Sequence, residues 1–195
     1  MQREPIRRAV LPFAFNLIPD PSTSLAIERV YAGLATLDIP EQDLVTQYGP
    51  CVTILVVEDR VRPDVLIEVL KWKLPGMGAL PVAFTEPCII AGAPPTLSLR
   101  VRPTDALLAL HHAVFMELPE EEVGLHYRPA YWQPHLKLSN FRGDRAAATA
   151  LVAQVAARWR KLHGVLTHLE LMQYPPVQAI WQAPLRAGAG RPDSH

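Results

Sequence analysis

Short apolar runs alternate along this chain with stretches whose apolar residues recur every three or four positions, and Pro, Gly and Asp mark the changes between them. Residues 9–18 form a short, partly aromatic run bounded by Pro19-Asp20-Pro21, which predicts a buried strand. Asp20 then stands as the N-cap of a helix with Pro21 at its first position, and Ile27, Val30, Tyr31, Leu34 and Leu37 give that helix an apolar face. Residues 51–58 are rich in β-branched side chains and predict a strand. Pro63 to Lys73 predicts a helix that buries Val65, Leu66, Val69 and Leu70 before Pro75-Gly76 stops it. Residues 80–91 and 96–101 read as a hairpin across a Gly/Pro turn, and Thr104 caps a helix with Leu107, Leu110, Val114 and Leu118 on one side. His135 to Phe141 reads as a strand and 145–162 as an Ala-rich helix presenting Leu151, Val155, Trp159 and Leu162, with strands at 165–174 and 177–183 to close.

A unit recurs in this pattern. In each half a helix is followed by a loop ending in Pro, then at once by a strand with a chemically active first residue, then by another helix. The first such strand opens Pro50-Cys51-Val52-Thr53-Ile54 and the second Pro134-His135-Leu136-Lys137-Leu138, with Cys51 and His135 84 residues apart. The expected fold is α+β, with two pseudo-symmetric lobes, antiparallel sheets and flanking helices around a central cleft. The 195 residues suit one bilobal domain over 1–185 and a flexible tail over 186–195.

Composition narrows the partners. Nineteen basic residues balance nineteen acidic ones, so a long duplex nucleic acid is not the expected ligand, whereas a small phosphate ester needs only local charge. Two cysteines, Cys51 and Cys88, are too few for a disulfide framework or a four-cysteine zinc site, which points to a reducing, cytoplasmic setting. Arg3, Arg7 and Arg8 before an apolar run resemble a signal peptide, but Pro12 and Asn16 interrupt it and no small-residue cleavage site precedes Pro19. No run reaches the length of a membrane span. There is no HExxH, Walker A loop or dinucleotide fingerprint, and His111-His112 cannot both face one metal from a helix, so neither metal nor cofactor is expected.

On the strength of the two Pro-led strands, their spacing and the element order over residues 9–185, the chain resembles the 2H phosphoesterase superfamily, and within it the 2'-5' RNA ligase-like proteins. That family carries His-x-Thr/Ser-apolar once per lobe. Here the first copy has Cys51 in place of His but keeps Thr53 and Ile54, and the second keeps His135 but has Lys137 in place of Thr or Ser. The resemblance implies a metal-independent acid–base mechanism on a 2',3'-cyclic phosphate or a 2'-5' phosphodiester, in a small molecule or a short RNA end. Two near-neutral imidazoles supply base and acid, and the hydroxyls meet the phosphate oxygens.

Strand alternation puts Cys51 with Thr53 on one face, and His135, Lys137 and Ser139 on another that looks toward it. His135 is then the acid or base, Cys51 occupies the second catalytic position, and Thr53, Lys137 and Ser139 bind phosphate. Tyr131 and Trp132, with Tyr127, form either a stacking platform for a base or a hydrophobic lid. Arg100 and Arg102 share a strand face and either guide a phosphate or protect an edge. Cys51 has three readings: a base or nucleophile activated by a neighbouring cation, an inert space-filler, or half of a Cys–His hydrolase. A noncatalytic nucleotide- or RNA-end-binding protein is the alternative from another class.

Overall fold

The structure is a computed structural model that describes residues 12–36, 42–44, 48–57, 60–91, 95–141, 144–174 and 177–186. In chain order it contains β1 (Phe13–Pro19), α1 (Pro21–Ala35), β2 (Gln42–Leu44), β3 (Val52–Val57), α2 (Pro63–Lys73), β4 (Leu80–Ile90), β5 (Thr96–Val101), α3 (Asp105–Phe115), β6 (His135–Phe141), α4 (Arg145–Arg158), β7 (Leu162–Gln173) and β8 (Gln178–Pro184). Two short 3-10 turns, Glu120–Glu122 and Leu125–Tyr127, lie between α3 and β6.

The eight strands form one hydrogen-bonded system in the order β1-β3-β6-β5-β4-β7-β8, and β1 also pairs with β7, so the six strands from β1 to β7 close into a circuit. Every pairing between these strands is antiparallel. The unit β1-α1-β3-α2-β4 is repeated by β5-α3-β6-α4-β7, and the pairings repeat with it: β1 with β3 as β5 with β6, and β4 with β5 as β7 with β1. The two joints, β3 with β6 and β4 with β7, each map onto themselves, as a pseudo-two-fold relation requires. The strands β2, on β6, and β8, on β7, lie outside that relation.

The helices cover the sheet and make the core. α1 packs on β1 and β7, α3 on β3 and against α2, and α4 on β4. Ile27, Tyr31 and Leu34 of α1, Leu66 and Leu70 of α2 and Leu107, Leu110 and Val114 of α3 are buried, as their spacing requires. Val65, expected on the buried face of α2, is 48% exposed, because it precedes the inward stripe set by Leu66 and Leu70.

Other boundaries moved for identifiable reasons. The first strand begins at Phe13, and residues 9–11 lie outside the described ones. The last helix ends at Arg158, not 162: Trp159 takes an extended backbone and its indole N–H donates to the Thr85 carbonyl at 2.6 Å, which turns the chain into β7 at Leu162. Arg186, placed in the expected tail, exchanges backbone hydrogen bonds with Met77 and Ala79, while residues 187–195 lie outside the described ones. Among the described residues no helix is long and apolar enough to cross a membrane.

Candidate active site

The two motif strands are neighbours in the sheet, not opposed across a gap. They meet at Val52 opposite Leu136, and that antiparallel register sets Cys51 against Lys137 and Thr53 against His135. Val52, Ile54, Leu136 and Leu138 fill the core, so strand alternation sends Cys51, Thr53, His135 and Lys137 to the other surface. Gly49, at φ +69°, makes the turn that leads through Pro50 into this strand, a backbone state open to Gly at little cost.

All four side chains line one cleft of about 260 Å3, with Asn16, Tyr48, Tyr127, Met172 and Tyr174 among the other walls. An adjoining groove of about 410 Å3 shares His135, Lys137 and Tyr127 with it and extends along Ile89, Thr96, Tyr131 and Gln133. His135 and Lys137 thus stand at the partition between two spaces.

The state of His135 follows from its contacts. Its Nδ1 lies 2.7 Å from the Gln133 carbonyl oxygen, which can only accept, so Nδ1 carries the proton and Nε2 keeps its lone pair. Burial pulls its pKa below the ordinary imidazole value, partly offset by the Gln133 hydrogen bond and reinforced by the nearby Lys137 and Arg100 charges. A neutral imidazole with a free Nε2 is a base at neutral pH. Arg100, directly across from His135 in β5, is paired with Glu86 at 2.8 Å and adds positive charge near the imidazole.

Thr53 donates its hydroxyl hydrogen to Asn16 Oδ1 at 2.8 Å, and Asn16 Nδ2 reaches Met172 Sδ at 2.8 Å. Lys137 makes no ion pair among the described residues, and burial lowers its pKa, opposed by the charge it would share with Cys51 as thiolate. Its strand is anchored from α1, where Tyr31 donates to the Lys137 carbonyl at 3.0 Å. Cys51 is buried, and desolvation together with the Glu170 carboxylate pushes its thiol up to about 12, against the opposing pull of Thr53 and Lys137. The thiol is therefore neutral at pH 7, and no cation makes it a thiolate as the nucleophile and base readings require.

Two residues expected at the site stand elsewhere. Ser139 shares the parity of His135 but is wholly buried and does not line the cleft, with no partner for its hydroxyl among the described residues. Trp132 is buried and serves the scaffold: its ring stacks on His111 with centroids 3.9 Å apart, and its indole donates to the Thr53 carbonyl at 3.2 Å. Tyr131, by contrast, is 59% exposed on the rim of the adjoining groove.

Asn16, Tyr48 and Tyr174 were not found from the sequence. Asn16 had a signal, as the one polar residue inside the run Phe13-Ala14-Phe15-Asn16-Leu17-Ile18. The tyrosines had none, since their place depends on strand pairing. Among the described residues no group of three or more His, Cys, Asp or Glu could hold a metal ion.

Paired circuit, repeated unit and cleft together make an α+β fold that solved structures share, a phosphoesterase and E. coli LigT among them. The chain is similar in structure to TT0787 of Thermus thermophilus, with a TM-score of 0.64 at 10% identity over 91% of this chain and 99% of that one. It is similar to E. coli LigT, solved with ATP, at a TM-score of 0.60 and 11% identity over 91% of this chain and 98% of that one. The MHV ns2 PDE domain matches at a TM-score of 0.54 and 15% identity over 84% and 99% of the two chains. At these identities the likeness is one of fold. No protein-family model matches the sequence, and no curated protein does either.

Proposed function

We propose that this chain is a metal-independent phosphoesterase acting on a 2',3'-cyclic phosphate or a 2'-5' phosphodiester of a nucleotide or short RNA end, in a reducing, cytoplasmic setting. The observation that carries the reading is the neutral His135, with Nδ1–H fixed on a carbonyl and Nε2 keeping its lone pair, in a cleft that also holds the Lys137 cation, which has no ion-pair partner among the described residues. His135 accepts the proton of the attacking oxygen, Lys137 meets charge on the nonbridging phosphate oxygens, and Thr53 joins it by turning its hydroxyl hydrogen from Asn16 to the phosphate. Tyr131 offers a face on which a base can stack. The nucleotide in the LigT crystal and the diesterase activity in the name of the MHV domain agree with this substrate class.

Cys51 fills the position where a second imidazole would stand. Loss of one acid–base group lowers turnover by roughly 10²- to 10⁴-fold. A panel of 2',3'-cyclic nucleotides and 2'-5' dinucleotides tests the reading: His135→Ala abolishes turnover, and Cys51→His raises it.

The neutral thiol favours one second reading, a nucleotide-end-binding protein that keeps the cleft without the chemistry. Binding of the same panel without turnover, in the chain and in Cys51→His alike, would select it. A Cys–His hydrolase predicts loss of activity with iodoacetamide, which a neutral buried thiol resists.

A further inference from the structure

We propose that Lys137 is the proton donor of the cleft, replacing from the neighbouring strand the second imidazole that position 51 lacks. This rests on the phosphoesterase reading above and assigns within it a role that the phosphate-binding cation alone does not have.

Two observations converge. The pseudo-two-fold relation maps Cys51 onto His135, and the β3–β6 register sets Lys137, not His135, beside Cys51. Cys51 and Lys137 line the same cleft, and Lys137 carries an ammonium on a four-carbon stem. Lys137 is one of four lysines in the chain, and no carboxylate among the described residues pairs with it.

Its surroundings suit a donor. Cys51 from β3, Tyr48 from the preceding loop, Tyr127 from the second 3-10 turn and Tyr174 after β7 line the same cleft, while Glu170 of β7 acts on the thiol behind it. Thiol and phenols are all neutral at pH 7, since burial raises the thiol and the Tyr48, Tyr127 and Tyr174 hydroxyls. Burial shifts Lys137 the opposite way, toward easier release of its proton. An imidazole held neutral and an ammonium shifted toward easier release of its proton form a base and an acid on one cleft.

The proton count closes. Water attacks phosphorus as His135 Nε2 takes its proton. The P–O bond to the leaving ribose oxygen breaks, and Lys137 Nζ gives that oxygen a proton. Imidazolium and neutral amine are left, and solvent resets them by exchanging one proton with each.

The test uses Lys137→Arg, which keeps the charge but cannot release a proton near neutral pH. On 2',3'-cyclic nucleotides, whose leaving group is an alkoxide, the variant loses roughly 10²-fold or more in kcat. On a p-nitrophenyl phosphodiester, whose leaving group needs no proton, the loss is smaller by roughly tenfold or more by the same argument. The alkaline limb of the wild-type pH–rate profile disappears in Lys137→Arg, and adding Cys51→His restores turnover of the cyclic substrate. Thermal unfolding of each variant reports on folding, and the p-nitrophenyl rate serves as an internal control should Lys137→Arg be destabilised. Equal losses on both substrates, or an unchanged alkaline limb, would overturn the donor role and leave the phosphoesterase reading in place. No turnover of either substrate by the wild-type chain would remove both.

Discussion

At the scale of single residues, Asp20 ties the first helix to the last long strand. Its Oδ1 accepts from the Ser22 amide at 2.8 Å, the Ser22 hydroxyl at 2.6 Å and the Thr23 amide at 3.0 Å, and its Oδ2 from the Thr23 hydroxyl at 2.8 Å and the Val165 amide at 3.2 Å. The Ser22 hydroxyl contributes most to holding this carboxyl well below its ordinary value, burial opposes it, and the Thr23 bonds add to the lowering. A depressed carboxyl stabilises the fold above its unfolded value near 3.8, and that stability is lost as pH falls toward the folded value. Asp20→Ala is expected to cost about 1–2 kcal/mol at pH 7, the range for a lost N-cap, with the gap from wild type narrowing below pH ~4 in urea unfolding. The cap was legible in the sequence as Asp-Pro before an apolar face, and so was the shared face of Cys51 with Thr53 and of His135 with Lys137 from strand parity, once the two Pro-led strands and the family resemblance had singled those residues out. The protonation of Cys51 was not, because it depends on burial and on Glu170, which reaches it from another strand.

At the scale of elements, the sequence placed α2 to the residue and β6 likewise, because α2 opens on Pro63 with apolar residues at helical spacing and β6 follows Pro134 with alternating ones. It missed β2, three residues long, and overran α4, because the bond that turns Trp159 away is made to Thr85 and leaves no local trace. The close packing of β7 on α1 was equally invisible. A Cβ at Gly164 would fall on the Thr23 side chain, whose hydroxyl is held by Asp20. Gly164→Ala is therefore expected to destabilise by about 1–3 kcal/mol, the cost of overpacking, and Thr23→Ser in the same chain to recover part of it. Chemical denaturation of wild type and the two variants checks this, and equal stability of Gly164→Ala and wild type would refute it.

At the scale of the molecule, the two lobes were legible because the unit β1-α1-β3-α2-β4 leaves a pattern that β5-α3-β6-α4-β7 repeats, and the Pro-led motif strands fix the spacing. Their joining was not, since the pairing of β1 with β7 and of β3 with β6 links residues far apart in sequence. That joining makes the lobes interdependent. A chain ending at Lys161 lacks the neighbour of both β1 and β4 and is expected to show no cooperative unfolding transition in circular dichroism, although it contains both motif strands.

The place of β1 between β3 and β7 also bears on synthesis. Once β3 has left the ribosome, β1 has one partner and one bare edge, and the residues on that edge, Phe13, Phe15 and Leu17 among them, are apolar. The strand that covers it is completed only at Gln173, more than a hundred residues later, which at ~5–20 residues per second is a wait of roughly 6–23 s. During that interval the nascent chain presents an unpaired template for aggregation, so its yield in a cell depends on translation speed and on chaperones that mask a strand edge.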